Sequence, residues 1–169
     1  MNKKLLTIAT ISILTLSACG TAHISEEHLL ENYQNKQYSS VNVHCYYDEE
    51  EAIFPDFNRR LENYIRTYLE QENVQLGDDL LIRCNYVNFR AGSRAGRYLG
   101  ASYSSRGESD VQVELIDAEN NKIDEFRVKS LLMFGFFGGN SEDLFKNSAK
   151  KIVERVKTRI TQSPQTTTK

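Results

Sequence analysis

Hydrophobic and polar residues alternate along four stretches of the chain and recur at helical spacing along two others. Alternation is typical of a half-buried strand, and a spacing of three to four residues is typical of an amphipathic helix. The predicted strands are 40–47, 80–89, 109–117 and 123–133. The predicted helices run from 55 to about 73 and from 141 to about 160. The polar turn at 119–122 joins the last two strands as an antiparallel hairpin.

This order, β-α-β-β-β-α, predicts an α/β domain of the α+β type. Each helix carries one apolar stripe, so both helices should pack on one face of a mixed sheet of about four strands. The chain has 169 residues, of which 40% are hydrophobic and 26% charged. That size and composition fit one domain, which we place at 40–161, and the polar end 162–169 is expected to be disordered.

Residues 19–39 are expected to be a tether outside the domain. Ser25 followed by Glu26 and Glu27 resembles a helix cap with an acidic first turn, so the tether is expected to carry a short helix.

The first eighteen residues resemble a signal peptide. Two lysines precede an apolar run from Leu5 to Leu16 that is too short to span a bilayer. Small residues then precede a cysteine, in the order Leu16-Ser17-Ala18-Cys19.

That tetrapeptide resembles the lipobox of bacterial lipoproteins, in which the cysteine thiol receives a diacylglycerol group and the chain is cut before it. The resemblance implies a signal peptide at 1–18 and acyl chains (palmitate and its like) on Cys19. A mature lipoprotein of this kind carries three chains, which hold it stably to a membrane. Gly20 is not the aspartate that commonly retains such proteins at the inner membrane, so the expected location is the outer membrane, facing the periplasm.

Cleavage would remove two lysines and no acids, which changes the net charge from −2 to −4. An acidic domain is not the pattern of a nucleic-acid binder, so we expect no nucleic-acid partner.

Cys45 and Cys84 remain after Cys19 is assigned to lipid. Each lies on the apolar side of a predicted strand, so the two sulfurs could meet if those strands are neighbours. A disulfide, two buried free thiols and a catalytic thiol all remain open. A metal site is not expected, because the histidines, including His44 beside Cys45, lack metal-ligand spacing.

Two glycine-rich segments are candidate contacts. The connection 90–107 is too long for a hairpin turn, and it could bind an anion or a protein through Arg90, Arg94, Arg97 and Tyr98, or simply be flexible. The apolar segment 131–140 could bury its aromatic rings or offer them to a partner or a membrane. Those rings are Phe134, Phe136 and Phe137.

The first segment also carries a family resemblance. Gly92-Ser93-Arg94-Ala95 with Arg97-Tyr98 and Gly100, then an alternating strand that ends at Asp117, resembles the lipoproteins grouped as domain of unknown function 4410. The likeness spans roughly residues 40–160, although the hairpin turn has Asn120-Asn121 where glycine is usual. It implies an envelope location and an α/β fold, and it implies no chemistry.

No catalytic constellation is visible in the sequence, and no cofactor is expected. His23, His28 and His44 lack metal-ligand spacing. The acidic run 48–51 and the acidic pair 78–79 are typical of solvated loop edges. We therefore predict no enzyme but an interaction or assembly protein of the envelope, held by lipid, with an envelope protein or a second copy as its partner. The alternative is a module that binds a small anionic or glycan ligand at 90–107.

Overall fold

A computed structural model of the chain describes residues 20–29, 36–46, 55–93, 95–96, 106–132 and 140–160. The chain order is strand, strand, helix, three strands, helix. The strands are β1 Gly20–Leu29, β2 Val41–Cys45, β3 Leu80–Arg90, β4 Gly107–Asp117 and β5 Lys122–Leu132. The helices are α1 Pro55–Gln71 and α2 Glu142–Lys157.

The five strands form one mixed sheet in the order β1-β5-β4-β3-β2. Three neighbouring pairs are antiparallel, and β2 runs parallel to β3. The α+β class predicted from the sequence is confirmed, with five strands rather than about four. The β4–β5 hairpin turns at residues 118–121, where Asn120 adopts a φ of 64°.

Both helices lie on one face of the sheet and close the hydrophobic core. Leu61, Ile65 and Leu69 of α1 are fully buried, and α2 contributes most of its apolar stripe. Every second side chain of each strand points toward the helices and packs against their apolar sides, because successive side chains of a strand point to opposite faces of the sheet. The buried members of α2 are Leu144, Phe145, Ala149, Ile152, Val153 and Val156.

The expectation of a short helix after Ser25 is wrong, and the first half of the predicted tether belongs to the sheet. Residues 20–29 pair antiparallel with β5 along their whole length. Ala22 and Ile24 pack against the core, while Thr21 and His23 are exposed. Burial of this short alternating pattern outweighs the weak local preference for a helix, since helices of this length are marginal without tertiary packing.

Four aromatic rings fill the end of the core where β3 finishes. Phe57 of α1 lies 4.3 Å from Phe89 of β3, and Phe145 of α2 lies 5.1 Å from Phe89, measured between ring centroids. Tyr86 meets this group edge-on and is fully buried. The cluster joins both helices to the sheet beside the row of residues where β3 and β5 end and β1 and β4 begin.

Candidate interaction surfaces

The two edges of the sheet differ in how their backbone groups are used. Directly after β2, Tyr46 donates its N–H to the carbonyl of Cys84 at 2.9 Å. Because successive residues of a strand turn their N–H groups to opposite sides, Val41, Val43 and Cys45 turn theirs outward, away from β3. An outward row of this kind is a template for another strand unless something covers it.

The chain itself covers the outward groups of β2. Val41 bonds to the segment before β3: its N–H donates to Gln75 at 2.9 Å and its carbonyl accepts from Gly77 at 3.0 Å. The carbonyl of Val43 accepts from the guanidinium of Arg66 at 2.5 Å.

The remaining outward N–H groups are covered as well. The N–H of Val43 donates to the side chain of Asn42, and that of Cys45 to the carboxylate of Glu62, both at 2.9 Å. The edge of β2 is therefore closed to a further strand.

The opposite edge is built differently. Among the described residues, β1 pairs only with β5, and its other side faces away from the sheet. Most of its side chains are exposed; they are Thr21, His23, Ser25, Glu26, Glu27 and His28. The register with β5 shifts between Ile24 and Glu26, which leaves Ser25 as the extra residue of a bulge.

Two ion pairs fix β1 in place from opposite faces. Glu26 lies 3.6 Å from Arg127 on the open face of the sheet. Glu27 forms an ion pair with Arg155 of α2, which also bonds to the buried Asp124 at 3.0 Å. The strand is thus bonded to its neighbours on both faces of the sheet, and an exposed sheet edge is where a partner can add a strand.

The face of the sheet opposite the helices carries a network of charged and amide side chains. Lys122 bridges Glu114 and Glu125, and Gln112 donates to Glu125 at 2.6 Å. Burial raises the pKa of Asp110, against the attraction of nearby Arg127. Toward β2 a shallow hollow opens between Tyr46, Arg83, Cys84, Asn85, Gln112 and Glu114.

The two domain cysteines stand side by side on β2 and β3. Cys45 and Cys84 are direct partners in the parallel register, with their Cα atoms 4.3 Å apart, and they form a disulfide. Both are buried, so the bond ties the short edge strand to the rest of the sheet. They are therefore neither free thiols nor a nucleophile in this structure.

Most of the contact residues predicted from the sequence fall outside the described residues. These are Cys19, Arg94, Arg97, Tyr98, Phe134, Phe136 and Phe137. Arg90 is described: it ends β3 and pairs with Glu108 of β4 at 3.2 Å. Its charge is thus partly neutralised by a neighbour on the sheet.

The acidic residues Asp78 and Asp79 accept hydrogen bonds from residues next to and within β2. Asp79 accepts hydrogen bonds from the hydroxyl and the N–H of Ser39, which lower the pKa of its carboxyl. Asp78 accepts from Asn42 at 2.9 Å. The acidic run 48–51 lies outside the described residues. No group of three potential metal ligands occurs in the described ranges.

The outer edge of β1, which is unpaired within the described part of the chain, is the feature that sequence reasoning missed. The alternation of Thr21 and His23 with Ala22 and Ile24 is a strand signal, but it covers only four residues before the bulge at Ser25 breaks it. The acidic pair that follows then resembles the first turn of a helix. To predict a strand here instead of a helix, one must know that β5 needs a pairing strand on its outer side.

No family model and no curated protein matches the chain. Among solved structures, the chain is similar to a PelC variant dodecamer from Paraburkholderia phytofirmans, with 13% identity and a TM-score of 0.46 over 85% of this chain and 100% of that one. A second PelC dodecamer from the same organism gives 11% identity and a TM-score of 0.43 over the same shares. No helix within the described ranges is long and apolar enough to cross a membrane.

Proposed function

We propose that this protein is a lipid-anchored lipoprotein of the bacterial envelope that acts without catalysis as an interaction or assembly protein. Its lipid is carried on Cys19, and it is held at the outer membrane facing the periplasm. The partner, an envelope protein or a second copy, adds a strand to the outer edge of β1.

The anchor is supported by the order of features at the start of the sequence. A basic start, an apolar run and the Leu16-Ser17-Ala18-Cys19 tetrapeptide follow one another as in lipoproteins. The disulfide between Cys45 and Cys84 supports a compartment outside the cytoplasm, because disulfides persist in oxidising environments.

The interaction role is supported by the contrast between the two sheet edges. The outward groups of β2 that we can trace are bonded to Gln75, Gly77, Asn42, Arg66 and Glu62. The edge of β1 has no comparable cover among the described residues, although β1 is twice as long, with 10 residues against 5. Proteins that avoid strand addition protect their edges, so a single uncovered edge favours a contact there.

Two substitutions at one position test the edge. Ser25 is the bulge residue and has no partner in the register with β5, so proline there should leave the domain folded. We expect the wild-type protein to form crosslinked complexes on membranes and Ser25→Pro to abolish them, since the ring blocks an approaching strand. Ser25→Ala keeps the backbone N–H and should crosslink like the wild type.

Circular dichroism melting shows whether both variants remain folded. Undiminished crosslinking of a folded Ser25→Pro variant contradicts the edge as the contact. The anchor is tested separately: Cys19→Ala should block lipid labelling and release the protein from membranes.

A further inference from the structure

The first strand begins one residue after the proposed lipid attachment. Gly20 is the first residue of β1, and it pairs with Leu132, the last residue of β5. A side chain at Gly20 would collide with Asn147 of α2 and would lie 3.2 Å from Leu132. The backbone is therefore packed between sheet and helix at the first residue after Cys19.

Because of this packing, no flexible linker separates the proposed lipid attachment from the folded domain. One extended residue spans at most about 3.5 Å, so Cys19 has to stay within a few ångströms of Gly20. We propose that the end of the sheet that contains Gly20 rests on the headgroup surface of the lipid bilayer. This inference rests on the proposed function, because it takes the lipid on Cys19 as given.

The residues at this end form one row across four strands, which we call the anchor row. Gly20 pairs with Leu132, Leu132 pairs with Gly107, and the next pair joins Glu108 to Arg90. The row is tightly built, since a side chain at Gly107 would lie 2.7 Å from the carbonyl oxygen of Ala91. It therefore forms a fixed edge of the domain on the side of Gly20.

The opposite end of the sheet is far from the anchor row. The strand β4 has 11 residues, which corresponds to roughly 35 Å along the strand. The β4–β5 turn at 118–121 is therefore held well away from the membrane. Ala91, beside the anchor row, and Ala118, in that turn, are both exposed and provide matched positions at the two ends.

This orientation also restricts the partner of β1. The strand starts at the membrane and runs outward, so β1 strands of two copies on one leaflet point the same way. Two such strands cannot pair antiparallel. A strand that adds antiparallel to this edge therefore runs toward the membrane, which a second β1 on the same leaflet cannot do.

Fluorescence quenching tests the orientation, because the chain contains no tryptophan. Ala91→Trp and Ala118→Trp are made in the full chain, and the lipidated proteins are extracted from membranes and reconstituted into phosphatidylethanolamine and phosphatidylglycerol vesicles. A fraction of the lipid carries a nitroxide on its headgroup, which quenches indoles close to the bilayer surface. We expect the Ala91→Trp variant to lose severalfold more of its emission than the Ala118→Trp variant.

The outcomes separate this inference from the proposed function. If the protein floats with the vesicles and Ala118→Trp is quenched as strongly as Ala91→Trp, the orientation is wrong while the anchor stands. If neither variant carries lipid or floats with the vesicles, the proposed anchoring fails and the orientation fails with it. Strong quenching confined to Ala91→Trp supports both.

Discussion

Three buried polar side chains bond to backbone groups at places where the sheet ladder ends. Asn58 of α1 donates to the carbonyl of Tyr46 at 2.7 Å and accepts from the N–H of Tyr86 at 2.8 Å. Glu62 takes the outward N–H of Cys45, and Asp117 closes the β4–β5 turn. Each side chain forms a hydrogen bond with a backbone N–H or carbonyl that lacks a partner in the sheet. We therefore expect these residues to stabilise the fold.

Asp117 should make the domain sensitive to acid. Burial opposes its ionisation, but hydrogen bonds from the Asn121 N–H and from Lys36 outweigh burial and lower its pKa from 3.8 to about 2. A carboxyl with a lowered pKa stabilises the fold fully above its unfolded pKa, and that contribution is lost as the pH falls from about 4 toward 2. We expect Asp117→Asn to lower the free energy of unfolding at pH 7 by ~1–3 kcal/mol.

Urea denaturation followed by circular dichroism, repeated between pH 2.5 and 7, checks this expectation. Asp117→Asn should lose less stability than the wild type across the acid range, because the titrating group is gone. Glu119→Gln is the control: Glu119 also bonds to Lys36 at 3.0 Å, but its side chain is 69% exposed, so little change is expected. Equal acid sensitivity of Asp117→Asn and wild type would falsify the role of Asp117.

At the scale of the element, α1 acts as a cover for β2 as well as part of the core. Its apolar side buries Leu61, Ile65 and Leu69, while Glu62 and Arg66 reach over the edge strand. Those two side chains also form an ion pair with each other at 2.9 Å. One helix therefore supplies both the packing and the edge protection that a short strand of 5 residues lacks by itself.

Removal of the Glu62 carboxylate should loosen this edge. In Glu62→Ala the N–H of Cys45 loses its acceptor and Arg66 loses its ion-pair partner, which we expect to cost ~1–3 kcal/mol. Hydrogen exchange at the Cys45 amide should accelerate in the variant. Glu70→Ala changes an exposed residue of the same helix and should leave both the stability and this exchange rate unchanged. Slow exchange at Cys45 in Glu62→Ala would show that another group covers the edge.

Four strands and both helices could be predicted because each carries several repeats of its own period. The strand β3, for example, alternates buried and half-buried residues from Leu80 to Val87. The disulfide could be proposed but not decided, since only the parallel pairing of β2 with β3 brings Cys45 beside Cys84. The cover over β2 could not be foreseen, because Glu62 lies 17 positions from Cys45 and resembles any helix-surface acid in the sequence.

For the whole molecule, the strand β1 changes where the domain starts. The sequence pattern places that start at residue 40, whereas β1 completes the sheet and joins α2 through the ion pair of Glu27 with Arg155. Because β1 contributes Ala22 and Ile24 to the core and covers the outer side of β5, the strand that follows Cys19 is structural. The fold and the proposed contact edge therefore share the same ten residues, which directly follow the proposed lipid attachment at Cys19.

A chain that starts at Lys36 should accordingly be less stable than one that starts at Gly20. It loses the burial around Ala22 and Ile24 and exposes the edge of β5, so we expect the free energy of unfolding to fall by ~2 kcal/mol or more. The uncovered edge should also promote self-association, visible by size-exclusion chromatography. Removal of residues 161–169 from the longer chain, a cut of 9 residues against 16, is expected to change neither property. If the chain from Lys36 is as stable and as monomeric as the chain from Gly20, β1 is dispensable for the fold. The proposal that the folded domain begins directly after Cys19 would then lose its support.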